Sequence, residues 1–302
     1  MLRTAVSGPY SPFAAFMLPG TIAGVELTDG KLREIAQLLV QVPGVIGVTL
    51  GGSRARGDHT PSSDVDLGLY YRIPLDLRRL GQLAQQLAGP QARVTELGEW
   101  GPWVDGGAWL TIAGVAVDWI YRDVDRVRAS WKNAQKGCYS FHAQVGHPLG
   151  VPDFSYAGEL ALGVVLADPS DELGVLQQQM AYYPSQLRAV LTERPLWEAE
   201  FLVAIARKAV PRGDVTYIAG CLFRVMGLCA HALHGHAGRW LINEKGAVDS
   251  AGRLPHAPPN FAVRAHGAIT QLGTDSAQLT AALDAADELI TDTTTVCRRS
   301  IA

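Results

Sequence analysis

The sequence lacks the features that would place it outside the ordinary globular class. Four cysteines (Cys138, Cys221, Cys229 and Cys297) in 302 residues form no CxxC pair and show no metal-like spacing. They exclude a disulfide framework and a zinc knuckle, and read as plain thiols of a reducing compartment. Lysine and arginine (26) nearly balance aspartate and glutamate (29), for a formal net charge of −3. No global basic field gathers nucleic acid. No apolar run approaches the roughly 20 residues that span a bilayer. The short stretch "PFAAFMLPG" lies between Pro12 and Pro19 with no cleavage-site pattern after it, so it is not read as a secretion signal. The expectation is a soluble cytoplasmic protein, with residues 1–25 as an irregular arm.

What is present is 48% hydrophobic residues and a length that suits two domains. "LTDGKLREIAQLL" carries a Thr28–Asp29 cap signal and a helical apolar stripe that ends at Pro43–Gly44. "VIGVTLGG" and "DVDLGLYYR" read as strands, and a helix follows near residues 75–88. "ARVTELGEW", "AWLTIAG" and "VAVDWIYR" read as further strands. Residues 26–128 are thus expected to form an α/β domain, a mixed β-sheet with flanking helices. From residue 129 to 302 the period changes to that of helices. Two or three are expected between 156 and 210, one after Asp214 and one over "DSAQLTAALDAADELI", making an all-α helical bundle.

The chemistry concentrates in "GGSRARGDHTPSSDVDLGLYY", residues 51–71. Asp64 and Asp66 stand two apart on a strand, so both carboxylates face one side. Like charges side by side are unfavourable unless a cation holds them. Asp118 in "VAVDWIYR" supplies a third acid after an apolar run, where burial without a partner is costly. Three carboxylates from adjacent strands make an oxygen-rich site suited to Mg²⁺. Gly51 and Gly52 allow close backbone approach, and with Ser53 they suit a polyphosphate. A Walker A loop is excluded, because Asp58–His59 follows Gly57 where Lys–Ser/Thr is required. Arg54 and Arg56 divide between phosphate contact and a surface ion pair, and Ser62 and Ser63 read as turn formers.

"GGSRARG…SDVDLGLYY" with the later "VDW" resembles the signature of nucleotidyltransferases of the DNA polymerase beta superfamily, most of all its minimal and its aminoglycoside (kanamycin-type) members. The resemblance covers roughly residues 45–122. It implies ATP or another nucleoside triphosphate as donor, two Mg²⁺ ions, and in-line attack on the α-phosphate. Asp64, Asp66 and Asp118 are then both the metal ligands and the catalytic residues, with Asp118 helping to deprotonate the acceptor. Gly51, Gly52, Ser53 and Arg56 bind the nucleotide.

In the helical half, Glu200 and Lys208 lie near one stripe of "WEAEFLVAIARKAV". Lys208 is the candidate for the triphosphate, and Glu200 or Glu198 for the acceptor base. A solvated, ion-paired face is the plainer account of both. Lys245 in "WLINEKGAV" is a lesser candidate. The His231, His234 and His236 cluster lacks carboxylate or thiol partners for a metal, and Arg224 with His231 only loosely resembles the pair of HEPN ribonucleases. The expected reaction is transfer of AMP to a hydroxyl acceptor, foremost a small molecule such as an aminoglycoside-like antibiotic. The rivals are an antitoxin-like adenylyltransferase acting on a partner protein, an RNA-directed transferase, and a helical interaction module that only binds nucleotide. No membrane partner is expected.

Overall fold

The structure is a computed structural model that describes residues 27–57, 60 and 63–299. The expected arm over residues 1–25 lies outside them, as do Asp58, His59 and Ser62.

Helix α1 (Asp29–Leu39) begins where the Thr28 hydroxyl accepts from the Lys31 amide, and it buries Leu32, Ile35, Ala36 and Leu39. Strand β1 (Val45–Leu50) leads into the short helix α2 (Gly52–Arg56), then β2 (Val65–Tyr71), α3 (Leu77–Ala88), β3 (Gly107–Ile112) and β4 (Val115–Asp123). After α4 (Val124–Gln135) come a hairpin of β5 (Phe141–Gln144) and β6 (His147–Pro152), helix α5 (Ser155–Leu162), and β7 (Val164–Ala167). The main sheet runs in the order β3-β4-β2-β1-β7. β2 and β4 are parallel and the other pairs antiparallel, so the sheet is mixed.

Alternation along the strands separates two faces. Val65, Leu67 and Leu69 of β2, with Val117, Trp119 and Tyr121 of β4, are fully buried in one core with α1 and α3. Each such large side chain contributes about 1.5–3 kcal/mol on leaving water. The opposite face carries Asp66, Gly68 and Tyr70. Its lower part is covered by α4, α5 and α6 (Glu172–Met180), which bury Val127, Trp131, Tyr156, Leu160 and Leu176 around Tyr70.

Residues beyond α6 form α7 (Ser185–Leu191), α8 (Arg194–Arg207), α9 (Val215–Ala237), α10 (Ala247–Gly252), α11 (Phe261–Thr270) and α12 (Ser276–Cys297). Asp214 caps α9 by accepting from the Tyr217 amide, as the sequence suggests. α9 is also long and apolar enough to cross a membrane by composition alone, contrary to the expectation of no such run. It is instead the centre of the helical core, packed among α8, α10, α11 and α12 with His231, His234 and His236 buried along it.

Three expectations are corrected. The region after residue 128 is mainly helical but not all-α, since it holds the β5–β6 hairpin and β7. The sheet does not end at residue 128, because β7 pairs with β1. "ARVTELGEW" is not a strand: after Thr95 bonds to the Gly107 carbonyl, Gly98 turns at φ +81 before a ladder can extend.

Candidate active site

Asp66 and Asp118 are paired in register on the parallel strands β2 and β4, and Asp64 lies two residues before Asp66. One oxygen from each carboxylate lies within 4.8 Å of the others. Among the described residues this is the one such cluster of potential metal ligands. Asp64 is exposed, whereas Asp66 and Asp118 are half-buried. Burial, then Asp64, then Glu159 push the Asp66 carboxyl above its usual range, with Lys245 and Arg56 opposing. Asp118 is pushed up to about 6 by burial first, then by Asp66 and Asp64, with Lys245 opposing. The three acids are under-neutralised by the protein itself, and a divalent cation relieves both the repulsion and the desolvation.

The glycines are fitted to this cluster. The Gly51 amide donates to the Asp66 carbonyl at 2.8 Å. Gly52 has φ +61, and a Cβ there would lie 1.8 Å from Asp66 Oδ2. Only glycine lets α2 start against that carboxylate. Ser53 follows on α2, half-buried. Arg54 donates to the Ser63 and Asp64 carbonyls, both at 3.3 Å, and so holds the backbone leading into β2. Ser63 accepts from the Thr60 amide at 2.9 Å and shapes the turn.

A cavity of about 140 Å³ begins at Gly51, Gly52, Arg56 and Asp66 and follows the sheet past Gly68 and Ile120. Its floor is Arg122, only 6% exposed, paired through Nε and Nη2 with the two carboxylate oxygens of Glu159 of α5 (Nη2–Oε1 2.8 Å) and lying 5.3 Å from the Tyr156 ring centre. Ile242 and Asn243, from the segment after α9, close one side. Sequence reasoning missed Arg122 and Glu159. Arg122 was findable, since it shares a strand face with Asp118; Glu159 is a lone acid in an apolar helix and gave no such signal.

Glu200 on α8 and Lys208 just after it are exposed, and α8 packs on α9 and α12. Neither lines this cavity nor is among the charges that shift Asp66 and Asp118. Lys245 is the lysine that acts on both. Glu198 pairs with Arg224 at 2.5 Å. His231 is buried against the rings of Phe141 and Phe154, and burial pushes its imidazole down to about 3. His234 donates from Nδ1 to the Ala230 carbonyl and faces the Ser250 hydroxyl with Nε2. These histidines are parts of the core.

Residues 31–100 match the family of nucleotidyltransferase domains. The matched span runs from α1 into the loop before β3, so it contains Gly51–Ser53, Asp64 and Asp66 but not Asp118. No curated protein matches the chain. A nucleotidyltransferase-like protein from Exiguobacterium sibiricum has a similar crystal structure, at 13% identity and a TM-score of 0.42, covering 87% of this chain and 74% of that one.

Proposed function

The chain carries a nucleotidyltransferase domain over residues 31–100, and on that premise we propose that it transfers AMP from ATP to a hydroxyl of a small-molecule acceptor, with Mg²⁺ held by Asp64, Asp66 and Asp118. The observation that carries this reading is the meeting of Asp66 of β2 and Asp118 of β4 with Asp64, just before β2, beside Gly52, whose missing side chain leaves Asp66 its place. The bound cations would supply Lewis-acid stabilisation of charge on the phosphoryl oxygens.

The protein's own groups have separable tasks. The Gly51–Ser53 turn receives the polyphosphate, and Lys245 and Arg56, the two cations that act on Asp66, offset its charge. The acceptor oxygen bonds to the α-phosphorus as the bond to the β-phosphate bridging oxygen breaks, and pyrophosphate leaves with that electron pair. The acceptor proton passes to an ionised Asp118 carboxylate oxygen. Arg122 and Glu159 pair beneath the cavity and hold its floor. The net charge of −3 supports a small acceptor over a nucleic acid.

The test is mass spectrometry of products after incubation with Mg²⁺, each of the four nucleoside triphosphates in turn, and an acceptor panel that includes cell lysate. An AMP adduct on a small compound, absent with Asp66→Asn, is the expected result. An adduct on a protein band would move the acceptor to that class, and no adduct in any arm would overturn the proposal.

A further inference from the structure

We propose that the outer face of α8, with the adjoining strip of α9, is a two-fold interface between two copies of this chain. This is the Glu200–Lys208 stripe that the nucleotide site leaves unused. Trp197 is 68% exposed, Phe201 53% and Tyr217 43%. Trp197 and Phe201 stand one turn apart with near-parallel rings, centroids 5.9 Å apart and planes at 10°. α8 and α9 are joined by the short turn over Val210–Arg212, and Glu198 pairs with Arg224 between them, so the two helices run antiparallel. Two turns from that pair along each helix, Ile205 and Tyr217 come level, and the three rings share one surface. They expose roughly 300 Å², a large part of the ~800 Å² that one partner brings to a stable interface. Apolar surface gathered in this way marks an interaction site.

Small residues lie among the rings. Ala204 is exposed at the middle of the stripe, four residues from Glu200 and four from Lys208. Gly220 is exposed inside α9, and a Cβ there would meet nothing. Glycine in a helix interior weakens it relative to alanine, and no contact among the described residues calls for this one. Small side chains at both positions let a second helix approach to about 8 Å.

Charge selects a second copy as the occupant. Arg207 is held by Asp284 at 2.7 Å and by Asp287, Arg224 by Glu198, and Arg194 lies over the Tyr139 ring. Glu193 and Glu200 toward the start of α8, and Lys208 and Arg212 beyond its end, are exposed and hold no ion pair among the described residues. The stripe thus reads acid, alanine, base at intervals of four. An antiparallel copy crossing at Ala204 brings Glu200 beside Lys208 of the second copy, about 6 Å along the axis from the crossing. Two-fold symmetry repeats the pair on the other side. A parallel copy would instead oppose like charges. The pairs fix register, and the rings supply the apolar burial.

The test is sedimentation velocity on the full chain from about 1 to about 100 µM, without nucleotide, so that the result stands apart from the transfer reading. The wild type should reach twice the chain mass at the upper end. Phe201→Glu alters an exposed side chain and should keep the wild-type circular dichroism, while weakening self-association at least ~30-fold. Glu200→Lys and Lys208→Glu should each weaken it about 5- to 30-fold, because each makes both pairs repulsive. An equimolar mixture of these two variants should dimerise again, and so should the double variant, since both arrangements restore opposite charges. A wild type that stays monomeric at the upper concentration would overturn the proposal. So would a dimer indifferent to Phe201→Glu, or a mixture and a double variant that associate no better than the single variants.

Discussion

Replacing Asp118 by asparagine should stabilise the metal-free protein at neutral pH while stopping transfer. The carboxyl ordinarily ionises at 3.8 and in the folded chain at about 6, through burial, then Asp66 and Asp64, against a smaller opposing effect of Lys245. Between those values the unfolded chain is ionised while the folded one keeps its proton. Wild-type stability from this group is therefore greatest in acid, falls as pH rises from about 4 to about 6, and stays at the lower level above. A rise from 3.8 to about 6 corresponds to at most about 3 kcal/mol. The group is only half-buried, so water screens part of that, and about 1–2 kcal/mol is expected. Asp118→Asn removes the charge and keeps the shape. Urea unfolding in chelator should show the variant about 1–2 kcal/mol more stable than wild type at pH 7.5, with the gap nearly closed at pH 4. Added Mg²⁺ should raise the Tm of wild type more than that of the variant. A variant less stable at pH 7.5, or a gap of equal size at both pH values, would refute the reasoning.

The remaining predictions concern the surroundings of the acids. Gly52→Ala forces a Cβ onto Asp66 Oδ2 and strains a φ of +61, so it should cost about 1–3 kcal/mol in urea unfolding and remove AMP transfer; a fully active variant would show that α2 does not depend on that contact. Lys245→Ala should weaken ATP binding by about 1–3 kcal/mol in a calorimetric titration, whereas Lys208→Ala at the end of α8 should leave it within error; the reverse ranking would return the triphosphate to Lys208. His231 is held neutral, its imidazole pushed down to about 3 by burial, with His234 and Arg224 adding smaller effects. The stability that this group contributes should therefore fall as pH drops below about 6.5, at up to about 1.4 kcal/mol per pH unit, against the gain from Asp118. His231→Phe should flatten that fall, and parallel pH profiles for the two proteins would show that the imidazole is not its source.

The residues that were legible in the sequence are those whose position and chemistry are set by their immediate neighbours. Asp66 and Asp118 could be placed because alternation along two apolar strands fixes which way each carboxylate turns, whereas Asp64, expected on the same strand, lies just before it. Thr28 and Asp214 could be placed as caps because a helix start needs a side-chain acceptor three residues before a free amide. Gly52 could be picked out as a close approach, though not as the seat of Asp66 in particular. What could not be read depends on contacts between distant segments. β7 is four residues long with ordinary helical surroundings, and only its pairing with β1 makes it a strand. Glu159 has meaning only once α5 delivers it to Arg122, and Lys245, a lesser candidate by sequence, gains weight only once the chain returns from α9. Lys208 is spaced suggestively on its own helix, but helical spacing does not say which way the whole helix faces.

The pairing of β7 with β1 has a consequence for any attempt to divide the molecule. A fragment ending at residue 128 would keep all three carboxylates and the Gly51–Ser53 turn, and would seem sufficient. It would also lose the neighbour of β1, since Val48, Thr49 and Leu50 bond to the segment Val164–Ala167. Glu172, which holds Arg72 at the end of β2 and Arg128 of α4, would go with it. The strand that delivers the phosphate turn would then become a bare apolar edge, open to pairing with the same strand of another copy. Such a fragment should associate rather than remain dispersed. The two halves distinguished by residue pattern are thus joined at the strand that serves the site, and neither is a severable part.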